Sequence, residues 1–137
     1  MNFKTFNLHP HIAAGVQALG YITPTPVQLQ SIPSILQGRD IMALAQTGTG
    51  KTAAFAPTRE LAEQIHEAIG GLGKQTGLRS VTIYGGVAIN PQIQKLRRGT
   101  EIAVACPGRL LDHIRQGTIN TSQVEVLVLD EADRMFD

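Results

Sequence analysis

The chain has 137 residues, 42% of them hydrophobic and 17% charged, which is the size and composition of one globular domain rather than of a disordered or fibrous protein. Twelve Lys and Arg against eleven Asp and Glu leave a net charge of +1, so any site for a polyanion must be local. A single cysteine, Cys106, excludes an intrachain disulfide and a cysteine-rich zinc site. These features, and the lack of a long apolar run, predict a cytoplasmic chain that crosses no membrane, and we expect a monomer.

Predicted helices and strands alternate along the chain. Apolar residues at helical spacing, bounded by capping residues and glycines, predict helices over residues 10–19, 26–38, 58–72, 91–98 and 108–116. Short β-branched or aliphatic runs predict strands at residues 41–45, 80–84, 101–106 and 124–129. This alternation predicts an α/β fold with a mainly parallel sheet, helices on both faces and ligands at the carboxyl ends of the strands.

A glycine-rich segment directly after the first predicted strand has the character of a phosphate-binding loop. Its glycines let backbone amides turn toward phosphate oxygens, Lys51 can reach the β and γ phosphates, and the Thr52 hydroxyl can ligate Mg²⁺. The alternative, a plain strand-to-helix turn, is disfavoured by Lys51 and Thr52 in this position, although alanine stands where the usual pattern has its first glycine. The predicted nucleotide-binding residues are Ala45, Gln46, Thr47, Gly48, Thr49, Gly50, Lys51 and Thr52.

An acidic cluster follows the apolar run at residues 124–129. Asp130, at the carboxyl end of that predicted strand, is a candidate Mg²⁺ ligand, acting through water. Its neighbour Glu131 could orient and deprotonate the water that attacks the γ phosphate. A solvated helix start is the alternative interpretation, and the phosphate loop disfavours it. We therefore predict that Lys51, Asp130 and Glu131 form a catalytic group on one magnesium-triphosphate pocket.

Residues 130–133 read D-E-A-D, and with the phosphate loop the chain resembles the first RecA-like domain of a DEAD-box ATP-dependent RNA helicase. The resemblance spans nearly the whole chain and implies an incomplete three-layer P-loop domain, with a helical entry at residues 1–38 and a core at 39–137. It implies ATP and Mg²⁺ as cofactors and single-stranded or duplex RNA, held through its backbone, as partner. The second RecA-like domain, to which Asp133 would couple, is missing. We expect RNA-stimulated ATP hydrolysis and local duplex unwinding from the full-length protein and no unwinding from this chain alone.

Residues 20–28 read G-Y-I-T-P-T-P-V-Q and are similar to the family's adenine-selecting Q motif, with Phe6 at the place of its upstream aromatic residue. The resemblance implies that Gln28 pairs with the edge of adenine, as an amide can do with two hydrogen bonds, and that Phe6 or Tyr21 packs on the base. Two alternatives stay open. Gln28 also fits a helix capping box with Thr25, and both aromatic side chains could serve in core packing.

Three further segments are similar to the family's RNA-contacting motifs. Each places small residues, a helix N-terminus or an arginine at the carboxyl end of a strand, where phosphates can be held without reading bases. Cys106 stands where the family usually has threonine, which removes one hydroxyl contact. Taken singly, these residues also fit ordinary turns and a solvated surface. The implied RNA-contacting residues are Pro57, Thr58, Arg59, Gly85, Gly86, Pro107, Gly108 and Arg109.

The step from Thr52 to Pro57 is too short for this fold. A phosphate loop should open a helix that returns to the next parallel strand, and four residues hold neither element. Either the protein has a genuine deletion at this point, or residues of the protein between Thr52 and Pro57 are left out of this sequence. The second is favoured because loss of the strand would expose apolar sheet surface and unpaired backbone groups. With a covalent junction, we predict a rearranged loop and poor nucleotide affinity.

Two other functions stay open at this point: another P-loop NTPase, such as a kinase or a transport ATPase, and a non-catalytic nucleotide-binding module. The four histidines lack the spacing of metal ligands. The basic cluster of Lys95, Arg97 and Arg98 is typical of a solvated helix face, and we assign no function to it.

Overall fold

The computed structural model describes residues 1–43 and 56–136. Within these ranges, no helix combines the length and apolar character that crossing a membrane requires. The chain divides into two compact units, which are described separately below: Met1–Lys51 with Gly71–Thr76, and Thr52–Gly70 with Gly77–Asp137.

The first unit is helical where it is described. It contains a 3₁₀ helix, Phe3–Phe6, and the helices α1 (Pro10–Ala18) and α2 (Pro26–Leu36). The α1 helix ends where Gly20 takes a φ of 71° and donates its N–H to the carbonyl of Gln17 at 3.0 Å, a left-handed cap that glycine adopts without strain. Both helices that the sequence predicts in this part are confirmed.

Within the same unit, α1 lies directly against backbone at residue 72. A Cβ atom placed on Gly15 would lie 2.1 Å from the carbonyl oxygen of Leu72. Because that distance is far below van der Waals contact and the obstacle is backbone, only glycine fits at this position.

The second unit alternates helices and strands, and all three helices predicted there are confirmed. The two strands run parallel, in a register from Ser80 opposite Ile102 to Ile83 opposite Ala105. A parallel pair needs a crossover connection, which α4 supplies. In chain order the elements are α3 (Arg59–Leu72, its last two residues in the first unit), β1 (Ser80–Ile83), α4 (Asn90–Arg97), β2 (Ile102–Ala105), α5 (Pro107–Arg115) and a 3₁₀ helix at Ala132–Phe136.

Apolar side chains cover both faces of this two-stranded sheet. On one face, Val104 packs with Ala62 and Ile65 of α3, and Ala56 joins the same cluster. On the other face, a second cluster contains the side chains that alternate with the first set along the strands, together with residues of α4 and α5. Helices on both faces of a parallel sheet are the arrangement that the sequence predicts. The second cluster consists of Val81, Ile83 and Ala105, against which Leu96, Ala103, Leu110 and Ile119 pack.

The prediction of a buried strand at residues 124–129 is wrong. Only Leu129 makes an isolated bridge, and most side chains of the run are exposed, Val126 by 76%. Backbone groups of a strand must pair with a neighbouring strand. Four residues between Thr52 and Pro57 are too few for such a neighbouring strand, and among the described residues the run forms no ladder beyond the bridge at Leu129.

The predicted strand at residues 41–45 is also not found where the structure describes it. Residues 41–43 are in no strand, and Met42 is 89% exposed. The remaining two residues of that prediction lie outside the described ranges. A short apolar run forms a strand only beside another one, and in the described part of the chain only β1 and β2 pair with each other.

Candidate functional site

Backbone hydrogen bonds bring three of the predicted motif segments to one edge of the sheet. The N–H of Cys106, just after β2, donates to the carbonyl of Ile83 at the end of β1 (2.8 Å). The N–H of Ala56 donates to the carbonyl of Ala105 (3.2 Å). The segments that begin at Pro57, Gly85 and Pro107 therefore all start from the carboxyl ends of the strands, as the sequence predicts.

The first segment is fixed by the start of α3. Thr58 caps the helix, because its Oγ1 accepts the N–H of Leu61 at 3.3 Å. The guanidinium of Arg59 lies 4.8 Å from the centre of the Tyr84 ring, a cation–π distance. The Tyr84 hydroxyl in turn donates to Oε1 of Glu63 at 2.6 Å, and this bond, with burial, raises the pKa of Tyr84.

The second segment is an open glycine turn. Gly86 has a φ of 79°, a left-handed conformation that favours glycine. A Cβ atom on Gly85, Gly86 or Gly108 would meet nothing within 4 Å. The backbone at these three positions therefore faces open space, where a ligand could approach closely.

The third segment contributes Arg109, whose side chain turns inward and is only 13% exposed. Its Nη2 donates to the carbonyl of Val87 at 3.0 Å, and its Nη1 donates to Oε1 of Gln92 at 3.5 Å. Its Nε lies 3.7 Å from Oδ2 of Asp112 and is buried without a hydrogen-bond partner among the residues that the structure describes. Arg109 thus stabilises the glycine turn through its hydrogen bond to Val87. Its contact with RNA stays a prediction.

Two buried polar residues next to this edge were not singled out by any sequence pattern. Gln92 is 7% exposed and His113 is 0% exposed, and their side chains are bonded to each other at 3.0 Å. Each occupies a core-facing position of its helix, Gln92 one turn before Leu96 and His113 one turn after Leu110. A polar residue at core spacing was the signal that could have identified both.

The acidic cluster directly follows the run at residues 124–129. Asp130 is buried, at 7% exposed, and its Oδ1 accepts the N–H of Glu131 at 2.9 Å. Glu131 has a φ of 47°, and its Oε2 lies 3.2 Å from Nη1 of Arg134. Asp133 is exposed. No group of three or more His, Cys, Asp and Glu side chains that could hold a metal ion occurs in the described part of the chain.

The predicted phosphate loop lies outside the described residues, so the convergence of Lys51 and Thr52 with Asp130 stays a prediction. The same holds for the rest of the loop, Ala45, Gln46, Thr47, Gly48, Thr49 and Gly50.

The predicted adenine-contacting residues lie in the first unit. Gln28 forms the capping box that was the alternative interpretation: its Oε1 accepts the N–H of Thr25 at 2.9 Å, and Thr25 accepts the N–H of Gln28 at 3.4 Å. Phe6 is buried, and its ring packs edge-on against Phe3 at 5.9 Å. Tyr21 is 51% exposed, so of the two aromatic rings it is the one with surface free to meet a base.

Comparison with known proteins decides the family. The sequence profile of the DEAD/DEAH box helicases matches residues 25–56 and 54–137, which is most of the chain. The chain belongs to this family. Its membership disfavours a kinase or a transport ATPase, and the resemblance drawn from the D-E-A-D tetrad and the phosphate loop is confirmed.

Relatives within the DEAD/DEAH box helicases are named as RNA helicases. The chain is 42% identical to the ATP-dependent RNA helicase DeaD of Buchnera aphidicola, over 98% of this chain and 26% of that protein. It is 40% identical to the DEAD-box ATP-dependent RNA helicase RhpA of Helicobacter pylori, over 99% of this chain and 32% of that protein. The chain thus spans about a quarter to a third of the length of these curated relatives.

A solved structure supports the fold. The chain is similar to a hypothetical ATP-dependent RNA helicase from Sulfolobus tokodaii, with a TM-score of 0.88 and 34% identity over 94% of this chain and 43% of that one. The α/β RecA-like fold class is therefore confirmed, in an incomplete form.

The length of an alignment supports the interpretation that a segment is missing. The match to DeaD runs over 155 positions, whereas this chain has 137 residues, so at least 18 positions (155 less 137) have no counterpart here. The two segments that match the family overlap at residues 54–56. This is the place where the sequence is too short for a helix and a strand.

Proposed function

We propose that this chain is the first RecA-like domain of an ATP-dependent RNA helicase and that its described motif segments hold RNA by the sugar-phosphate backbone. The observation that carries the proposal is the convergence of three segments, at Pro57–Arg59, Gly85–Gly86 and Pro107–Arg109, on the carboxyl edge of one parallel sheet. The names of the DeaD and RhpA relatives support RNA as the partner.

The chemistry of that edge fits phosphates. The helices α3 and α5 both begin there, and the first turn of a helix has N–H groups without intrahelical partners and a partial positive charge. The glycine turn faces open space at Gly85 and Gly86, so its amides can approach an oxygen closely. Arg59 is exposed and supplies a full positive charge. None of these groups reads a base edge, so the grip is independent of RNA sequence.

The nucleotide would bind at the phosphate loop of residues 45–52, with Gln28 at the edge of the adenine. Tyr21, the more exposed of the two aromatic residues, or Phe6 would pack on the base. Lys51 would contact the phosphates and Glu131 would orient the attacking water. Glu131 must then leave its ion pair with Arg134, or hold the water with its second carboxylate oxygen.

Magnesium fits the residues that are present. Mg²⁺ prefers hard oxygen ligands and keeps part of its water shell, and the buried carboxylate of Asp130 uses one oxygen, Oδ1, on the backbone of Glu131. Asp130, through water, and the Thr52 hydroxyl would hold the ion, which when bound neutralises charge on the phosphates. Asp133 would couple this domain to a second RecA-like domain of the full-length protein. The full-length protein would hydrolyse ATP and unwind RNA locally in the cytoplasm.

The test of the RNA site is binding of a fluorescent oligouridylate to the chain, followed by anisotropy at several salt concentrations. We expect weak, salt-dependent binding that oligocytidylate competes with about equally. Arg59→Ala should weaken RNA binding by about threefold to tenfold. It should also make the slope of log affinity against log salt concentration shallower by about 0.7, because one phosphate contact is lost.

The matched control is Arg97→Ala, which removes the same charge from the exposed end of α4, outside the three segments. It should leave RNA affinity nearly unchanged. Equal losses in the two variants would mean that bulk charge alone attracts RNA, and lack of binding by the unaltered chain would contradict the proposal.

A further inference from the structure

Gln92 and His113 form a buried hydrogen-bond network behind the glycine turn. The Nε2 of Gln92 donates to the carbonyl of Tyr84 at 2.9 Å. The Oε1 of Gln92 accepts from Nε2 of His113 at 3.0 Å. On the far side of the ring, Nδ1 of His113 lies 2.7 Å from the Thr118 hydroxyl. Buried polar groups are costly unless they are bonded, and here each side-chain nitrogen and oxygen has a partner.

The chemistry of the groups fixes the direction of each bond. The carbonyl of Tyr84 can only accept, so the amide nitrogen of Gln92 must face it and the amide oxygen must face His113. The Nε2 of His113 therefore carries a hydrogen. In the neutral ring, Nδ1 accepts the single hydroxyl hydrogen of Thr118 at 2.7 Å, in place of the carbonyl of His113, which lies 3.1 Å from the same hydroxyl. Burial, and next the charge of Arg109, lower the pKa of His113 and so favour this neutral form.

The network reaches both flanks of the turn. On the N-terminal side, Gln92 holds the carbonyl of Tyr84, the residue just before Gly85. On the C-terminal side, Arg109 holds the carbonyl of Val87, the residue just after Gly86, and Arg109 itself donates to Gln92 at 3.5 Å. One glutamine thus links the two residues that flank a turn in which a Cβ atom on either glycine would meet nothing within 4 Å.

We propose that Gln92 and His113 are positioning residues that hold the Gly85–Gly86 turn and Arg109 in the geometry that accepts an RNA phosphate. This inference rests on the proposed RNA site, since neither side chain is placed to touch RNA itself. Binding groups on a loop are precise only when buried neighbours fix them, and a network that is fully bonded restricts a turn more than single contacts do.

The experiment compares Gln92→Leu with His66→Gln in the RNA anisotropy assay. The leucine side chain would fill a similar volume and leave Tyr84, His113 and Arg109 without their shared partner, and we expect RNA affinity to fall by about tenfold or more. His66 is the control, because its Nδ1 bonds to Ser80 at the opposite, amino end of β1 (2.8 Å), and its variant should bind RNA like the unaltered chain. Both variants are assayed at a temperature where denaturation curves show them folded.

A second pair covers the case in which Gln92→Leu does not fold. Thr118→Val removes the partner of His113 Nδ1, whereas Thr118→Ser retains the hydroxyl, so the first should weaken RNA binding and the second should restore it. Hydrogen exchange of the amides at residues 85–87 should be faster in Thr118→Val than in Thr118→Ser.

The outcomes separate this inference from the proposed function. Measurable RNA binding by the unaltered chain, with unchanged affinity in Gln92→Leu or Thr118→Val, overturns the positioning role alone. Equal weakening by His66→Gln also overturns it, because the effect would then be general destabilisation. Failure of the unaltered chain to bind RNA overturns both.

Discussion

The two strands β1 and β2 and the run at residues 124–129 have similar sequences but different structures. All three are short, apolar and rich in β-branched residues. The strands pair with each other and have helices on both faces, so that Val81, Ile83 and Val104 are almost fully buried. The run at 124–129 forms no regular strand, and Val124, Val126 and Leu127 are exposed.

The difference shows that β-propensity describes a side chain's fit to a neighbour rather than an intrinsic backbone preference. Each of the two strands has the other as partner. The family that the run at 124–129 resembles has another strand before Pro57, and the four residues between Thr52 and Pro57 are too few to form it. A local gap in the sequence therefore disrupts structure far later in the chain.

Restoring the missing residues should have the largest effect on this difference. We expect the corresponding segment of DeaD, inserted at residues 54–56, to turn 124–129 into a strand, because each apolar side chain that it buries contributes roughly 1.5–3 kcal/mol. The affinity for ATP, measured by calorimetry, should rise at least about tenfold from a dissociation constant above about 1 mM.

The control for this insertion is a Gly/Ser segment of equal length, which is flexible and has no strand propensity. It should restore neither stability nor ATP affinity. Tight ATP binding by the unaltered chain would contradict the prediction, because the nucleotide site would then be intact without the missing strand.

A pair of truncations of similar size compares the two regions directly. Ile83→Ala should lower the free energy of unfolding by about 2–5 kcal/mol, because it leaves a cavity in a packed core. Leu127→Ala, on the exposed run, should change it by no more than about 0.5 kcal/mol. Urea denaturation measures both, and similar losses would show that the run at 124–129 is packed in solution.

The smallest effect concerns the amino ends of β1 and β2, where Arg79 pairs with Glu101 at 2.8 Å on the surface. Hydrogen bonds from Arg79 lower the pKa of Glu101 from 4.5 to about 2. A carboxyl whose pKa is lower in the folded state stabilises the fold above its unfolded pKa, and this contribution is lost as the pH falls from about 4.5 to about 2.

Glu101→Gln should therefore lower the melting temperature slightly at pH 7 and flatten its dependence on pH below about 4.5. Thermal melts at several pH values measure this. Because the pair is exposed, high salt should reduce the difference between the two proteins. An unchanged pH dependence would show that the pair contributes nothing to stability.

Much of the fold follows from the sequence because its signals are local. Thr25 as an N-cap, Gly20 as a helix end and the apolar spacing of α3 depend only on neighbours within a few positions. The two failed strands depend on a partner that is distant in sequence, and no local pattern reports its absence. The one sequence signal for that absence was the short step from Thr52 to Pro57, which leaves no room for the neighbouring strand.

The site divides in the same way. Motif residues such as Arg59, Gly86 and Arg109 could be found because their order along the chain matches a known family. Gln92 and His113 could not, because their role depends on which buried polar groups meet after folding. Arg109 shows the same limit: its position was predictable, but its inward bond to Val87 was not.

The bond from Ala56 to Ala105 has a consequence for anyone who redesigns this chain. Ala56 lies beside the last residue of β2, and the chain leaves the sheet there toward α3. A polypeptide grafted ahead of Ala56 would therefore join the chain at a residue that is already hydrogen-bonded to the end of β2. The end point of such a graft is thus set by this hydrogen bond, and the residues ahead of it supply what the short step from Thr52 to Pro57 cannot hold.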